Sequence, residues 1–102
     1  MFIIFTACPN SEEAHSLAEK IVDAGFAACV QVMPQMTSFY VWDGEMQREG
    51  EHLLIIKTLP ERYEQLERFI TDNHSYDVPE ITAVEASRVS GAYLAWMKGL
   101  LT

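Results

Sequence analysis

The sequence predicts an α+β fold, a ferredoxin-like βαββαβ sandwich with a long β-hairpin and a short C-terminal helix. Three observations predict it. Extended and helical patterns alternate in the order β-α-β-β-α-β over a chain of 102 residues, read as one domain, 1–102. Trp42-Asp43-Gly44-Glu45 joins two long extended runs, and Asp-Gly between alternating residues is a strong signal for a tight hairpin. Right-handed crossovers leave few topologies for this order, and the split βαβ with both helices on one face is the natural one.

Residues 2–7 read as a buried strand. Pro9-Asn10-Ser11-Glu12-Glu13 supplies a helix start, with Asn10 as cap and Glu13 three positions later. Ala14, Leu17, Ala18, Ile21 and Val22 form a stripe at helical spacing, and Gly25 ends it. The first long strand spans 27–42, with Pro34 interrupting its ladder in a bulge or kink. The second spans 45–58. Its first half is polar and its second apolar, so only the second half can lie in the domain's own core. Pro60 opens the second helix, whose buried stripe is Tyr63, Leu66, Phe69 and Ile70. A turn-rich loop follows at 74–79, then a last strand at 80–86. Ser90-Gly91 begins the C-terminal helix, which carries Tyr93, Leu94, Trp96, Met97 and Leu100.

The two hairpin arms are too long for the domain. Each runs about 14 residues, roughly 46 Å at about 3.3 Å per residue. A compact chain of this size has a diameter of only ~34 Å. The tip therefore overhangs, carrying Phe39, Tyr40, Val41, Trp42 and Met46 beside unpaired backbone edges. Sheets pair or cover such edges, so another copy of the chain is expected to cover this one.

Composition bounds the function. The net charge is −8, which excludes a nucleic-acid partner that would need clustered Lys and Arg. The same charge is compatible with binding cations. The longest purely aliphatic run, Leu53-Leu54-Ile55-Ile56, falls far short of a membrane span. Met1-Phe2-Ile3-Ile4-Phe5 is too short and lacks the basic flank of a signal peptide, so the expectation is a cytoplasmic protein without a membrane partner. Cys8 and Cys29 form no CxxC pair and read as buried free thiols.

Several constellations could carry chemistry. In a two-residue hairpin register, Tyr40 and Trp42 share a face with Glu45, Gln47 and Glu49, a set that could cradle a cation or pack on a neighbouring subunit. His74 closes the second helix, where the dipole favours a cation or a protonated ring. Lys57 ends an apolar strand and needs water or a carboxylate, and Glu80 at the start of the last strand is a candidate partner. No GxSxG, HExxH or phosphate-binding glycine loop occurs, so the reading is of a non-enzyme.

Six segments in order resemble the divalent-cation tolerance family, the CutA proteins. They are Cys8-Pro9, Ala27-Ala28-Cys29-Val30, Ser38 to Gly44 across the hairpin, Ile56-Lys57-Thr58, His74 to Glu80, and Tyr93-Leu94-Ala95-Trp96. The resemblance implies a trimer like that of the PII signalling proteins, built by the 27–58 hairpin, and a role in tolerance to copper or other divalent ions. The metal candidates it leaves are His74 and Cys29. Thr6 and Asn73 stand where the family's proposed copper ligands have a cysteine and a histidine. The PII likeness implies a second function, sensing a small molecule at a cleft between subunits, with Lys57, Tyr76, Glu80, Trp96, Tyr40 and Trp42 as lining candidates. A purely structural trimer is the third reading.

Overall fold

A computed structural model describes residues 1–101. Five strands and three helices follow in the order β1 (Phe2–Cys8), α1 (Ser11–Asp23), β2 (Cys29–Val32), β3 (Met36–Trp42), β4 (Glu45–Thr58), α2 (Tyr63–Asn73), β5 (Thr82–Glu85) and α3 (Gly91–Leu101). A 3₁₀ turn at Pro60–Arg62 leads into α2. The antiparallel sheet has the order β2-β4-β1-β5, with β3 pairing β4 as well. This is the ferredoxin-like arrangement expected.

Local chemistry explains the boundaries. The Asn10 side chain accepts a hydrogen bond of 2.8 Å from the Glu13 backbone N–H and satisfies an amide that α1 would leave unpaired. Thr58 Oγ1 donates to the Phe26 carbonyl at 2.7 Å, fixing the chain between α1 and β2 to the end of β4. Ser90 Oγ accepts from the Tyr93 backbone N–H at 3.3 Å at the start of α3.

The predicted 27–42 strand differs from the one observed. It splits into β2 and β3, with residues 33–35 outside any strand. Pro34 has no N–H for a ladder, so the interruption falls where the sequence places it. The last strand is shorter than 80–86, running over 82–85.

The core lies between the sheet and the two helices. Ile4, Cys8, Leu54 and Ile56 from the strands meet Ala14, Leu17 and Ile21 of α1 and Leu66 and Ile70 of α2. A smaller cluster of Ala28, Leu59, Met97 and Leu101 seats α3. Ile3, Phe5, Leu53 and Ile55 alternate with the core residues and lie on the opposite face of the sheet, where they stay only half-buried.

The hairpin has the predicted register, with Trp42 opposite Glu45, Tyr40 opposite Gln47 and Ser38 opposite Glu49. Asp43 and Gly44 both take positive φ, 55° and 76°, as a two-residue type I′ turn requires. The ribbon extends the molecule to 45 × 25 × 23 Å. Phe39, Val41, Trp42 and Met46 are all more than 60% exposed at its tip.

Candidate functional site

Two groups of polar side chains adjoin each other where β1 ends and the loop after α2 passes over it. The first is buried. His74 leaves the end of α2, where its backbone turns from helical to extended. Its Nδ1 accepts from the Tyr76 backbone N–H at 3.0 Å, so the ring proton sits on Nε2 and is donated to the Ala7 carbonyl at 2.8 Å. Cys8 Sγ lies 3.8 Å from Nε2, and a Glu13 carboxylate oxygen lies 3.9 Å from Nδ1. Glu13 accepts in turn from the backbone N–H and the hydroxyl of Ser75, each at 2.9 Å. The loop is thus pinned to β1 through His74 and to the first turn of α1 through Glu13.

The ligand-bearing atoms of Cys8, Glu13 and His74 lie within 4.8 Å of one another, close enough in number and spacing to ask whether a divalent ion fits. As seated, they do not fit one. The imidazole stands between Cys8 and Glu13 with each nitrogen facing a different partner, and both nitrogens are already hydrogen-bonded. Metal binding also needs the thiolate. Burial, followed by the negative charges of Glu13 and Glu51, pushes the Cys8 thiol up to about 12. The cluster fastens a loop rather than presenting ligands.

The second group lines an open cavity of about 500 Å³ on the other side of that loop. Tyr40 and Trp42 of the hairpin, Glu51 of β4, and Tyr76, Asp77 and Glu80 of the loop form its walls. Glu51 is 8% exposed, and its carboxylate accepts from the Tyr76 phenol at 2.9 Å. Burial, the hydrogen bond to Glu51 and the charge of that carboxylate all raise the Tyr76 pKa, so the phenol stays a donor. The rings of His74 and Tyr76 lie 4.9 Å apart, which links the pinned loop to the cavity wall.

The residues anticipated from the sequence fall into separate places. Tyr40, Trp42, Tyr76 and Glu80 line the cavity together. Lys57 and Trp96 do not line it. The Lys57 ammonium lies 5.9 Å from the centre of the Tyr93 ring, and Trp96 packs on that same ring at 5.4 Å. The Lys57–Glu80 pair is absent among the described residues. Glu80 instead accepts from Thr82 Oγ1 at 3.2 Å. Cys29 does not meet His74 either. Cys29 pairs with Lys57 on β4 and Cys8 pairs with His52, five residues apart on the strand, or roughly 16 Å. The cysteine beside His74 is Cys8, and Cys29 is half-buried. Glu13 and Glu51 were not anticipated. Glu51 carried one signal, a carboxylate at the point where β4 turns from polar to apolar. In the sequence the helix start accounts for Glu13 on its own, so its contact with Ser75 carries no separate signal.

Thr6, on the core face of β1, is fully buried, and its hydroxyl has no hydrogen-bond partner among the described residues.

Comparison with known proteins points in one direction. A family profile described as "CutA1 divalent ion tolerance protein" matches residues 2–99. The "Divalent-cation tolerance protein CutA" of Thermus thermophilus is 33% identical over 96 residues, covering 94% of this chain and 93% of that one. "Protein CutA, chloroplastic" of Arabidopsis thaliana is 41% identical over 96 residues, covering 94% of this chain and 53% of that protein. The chain spans about half the length of this relative and of the rice and mouse CutA proteins it also matches. Among solved structures, the CutA1 of Oryza sativa superposes with a TM-score of 0.96 at 36% identity, covering 99% of this chain and 93% of that one.

Proposed function

The chain belongs to the CutA1 divalent ion tolerance family, and from that premise we propose that it acts in divalent-cation tolerance as a non-enzymatic homotrimer. The observation that carries the assembly is the hairpin. Its tip holds Phe39, Val41, Trp42 and Met46 in water, and among the described residues β3 pairs on one side only. A ribbon with open backbone edges and apolar side chains is stabilised by pairing with copies of itself. The half-buried row Ile3, Phe5, Leu53 and Ile55 gives those copies an apolar face to cover. The number three rests on family resemblance and is read directly by native mass spectrometry.

Tolerance in this reading works without a resident metal. Cu²⁺ or another divalent cation meets the protein weakly, because Cys8, Glu13 and His74 are committed to one another and to the backbone. Isothermal titration with Cu²⁺ and Zn²⁺ is expected to give no saturable heat at micromolar protein. A stoichiometric isotherm abolished in His74→Ala would overturn this part.

The cavity favours a second reading, a sensor in which a small molecule binds against Tyr40, Trp42, Tyr76 and Glu80 near the assembly surface. Its volume of about 500 Å³ suits a small organic ligand. No described helix is long and apolar enough to cross a membrane. The cytoplasm is the proposed compartment, and cell fractionation tests it; the word chloroplastic belongs to the Arabidopsis thaliana relative so named.

A further inference from the structure

We propose that residues 74–79 form a strap that opens and closes as one unit, and that its opening withdraws Tyr76 from the cleft wall and uncovers Cys8 at the same time. The strap works this way with or without a ligand in the cleft.

The strap has no ladder to hold it. Residues 74–81 lie outside every helix and strand. Among the described residues, 75–80 make no backbone–backbone hydrogen bond. Apolar burial adds little, because Val78 is 74% exposed and Ser75, Asp77 and Glu80 are exposed as well. A segment with few buried apolar contacts and no backbone ladder opens locally long before the domain unfolds.

Its fastenings are side-chain hydrogen bonds, and they lie on both faces of the sheet. On the helix side, Glu13 accepts from the Ser75 backbone N–H and hydroxyl, and His74 donates to the Ala7 carbonyl. On the other side, which carries Leu53 and Ile55, the Tyr76 phenol donates to Glu51. The Tyr76 backbone N–H donates to His74 Nδ1, which ties the two sets together. His74 therefore cannot leave β1 without loosening Tyr76.

Cys8 lies beneath this crossing. It is 0% exposed, and its thiol sits 3.8 Å from His74 Nε2. It faces the helix layer with Ile4 and Leu17. Neighbouring copies are expected on the opposite face, against Ile3, Phe5, Leu53 and Ile55. The His74 ring over the thiol belongs to the same chain, so the cover on Cys8 is intramolecular.

The two ends of the strap are thus linked. Anything that packs against Tyr76, a small molecule or a second copy, holds the strap shut and shields Cys8 by the same factor. An adduct on Cys8 fits only the open strap, and it removes Tyr76 from the wall.

The test treats the assembled full chain with iodoacetamide at pH 8 and follows Cys8 and Cys29 separately by peptide mass spectrometry. Local opening gives a Cys8 rate that stays level in urea below the unfolding transition. Global unfolding gives a rate that climbs with urea. The level rate is the expected result. Ser75→Ala and Glu13→Ala cut the helix-side fastening, and Tyr76→Phe cuts the far one while keeping the ring. Each is expected to raise the Cys8 rate about tenfold, the worth of a hydrogen bond to a charged group, and to leave the Cys29 rate unchanged. Urea midpoints and oligomer mass check that the variants fold, and where Glu13→Ala does not, Ser75→Ala carries that arm. A Cys8 rate no faster than global unfolding allows would overturn the strap. Acceleration by the helix-side variants with none in Tyr76→Phe would overturn its movement as one unit.

Discussion

Thr6→Val is expected to stabilise the protein. Thr6 is 0% exposed, lies on the core face of β1 opposite Leu54, and holds a hydroxyl without a partner among the described residues. An unsatisfied buried polar group costs about 1–3 kcal/mol. Valine has the same branched shape and strand preference, so the substitution opens no cavity and strains no rotamer. The net gain is about 1–2 kcal/mol per protomer, and each kcal/mol raises Tm by about 4–8 °C in a domain of this size. Thr6→Ala separates the terms. It removes the same hydroxyl but also a methyl group, whose lost burial costs roughly 1 kcal/mol, so its stability should stay near that of the parent. Urea denaturation of all three proteins at one protomer concentration measures the differences. A Thr6→Val protein less stable than the parent by 1 kcal/mol or more would refute the reasoning, since the hydroxyl would then have to be bonded in the folded state.

Cys8 controls part of the alkaline limit. Its folded pKa is raised to about 12, above the ordinary thiol value, so its contribution is complete below about pH 9 and is lost as pH rises toward 12. The urea midpoint of the parent should therefore fall more steeply between pH 9 and 10.5 than that of Cys8→Ala, and parallel slopes would contradict the assignment. Iodoacetamide at pH 8 should alkylate the half-buried Cys29 before the buried Cys8, as read by peptide mass spectrometry. Gly44→Val places a branched side chain at φ 76° in the hairpin turn and should cost about 1–2 kcal/mol or weaken assembly, measured by thermal unfolding at two concentrations. Trp42→Ala, at a ring 62% exposed in the single chain, should raise the dissociation constant of the assembly, and unchanged assembly at nanomolar concentration would remove Trp42 from the interface.

The fold was legible in the sequence wherever the deciding signal is local. Asp43-Gly44 sets the hairpin register, Asn10 and Glu13 start α1, and Pro34 breaks the first long strand. The site was legible only in pieces. Tyr40, Trp42 and Tyr76 stood out as aromatics in polar surroundings. Their convergence with Glu51 depends on how far the loop after α2 swings over β4, and side-chain spacing along the chain does not encode that swing. Cys8 and His74 are 66 residues apart, and the sequence reading names Cys29 as the thiol to go with His74, whereas the strand pairing places Cys29 near Lys57. Lys57 and Glu80 failed to pair for a similar reason. The Lys57 ammonium lies over Tyr93 of α3 instead, and nothing before residue 90 foretells where α3 packs.

Sedimentation equilibrium of the intact chain at micromolar and nanomolar concentrations tests the account most directly. One species of about 35 kDa, three times the 11.6 kDa chain, is the predicted result, with Trp42 fluorescence shifted toward that of a buried indole. A folded, stable particle of 11.6 kDa across that range would contradict it, because the apolar ribbon would then persist in water with nothing to cover it.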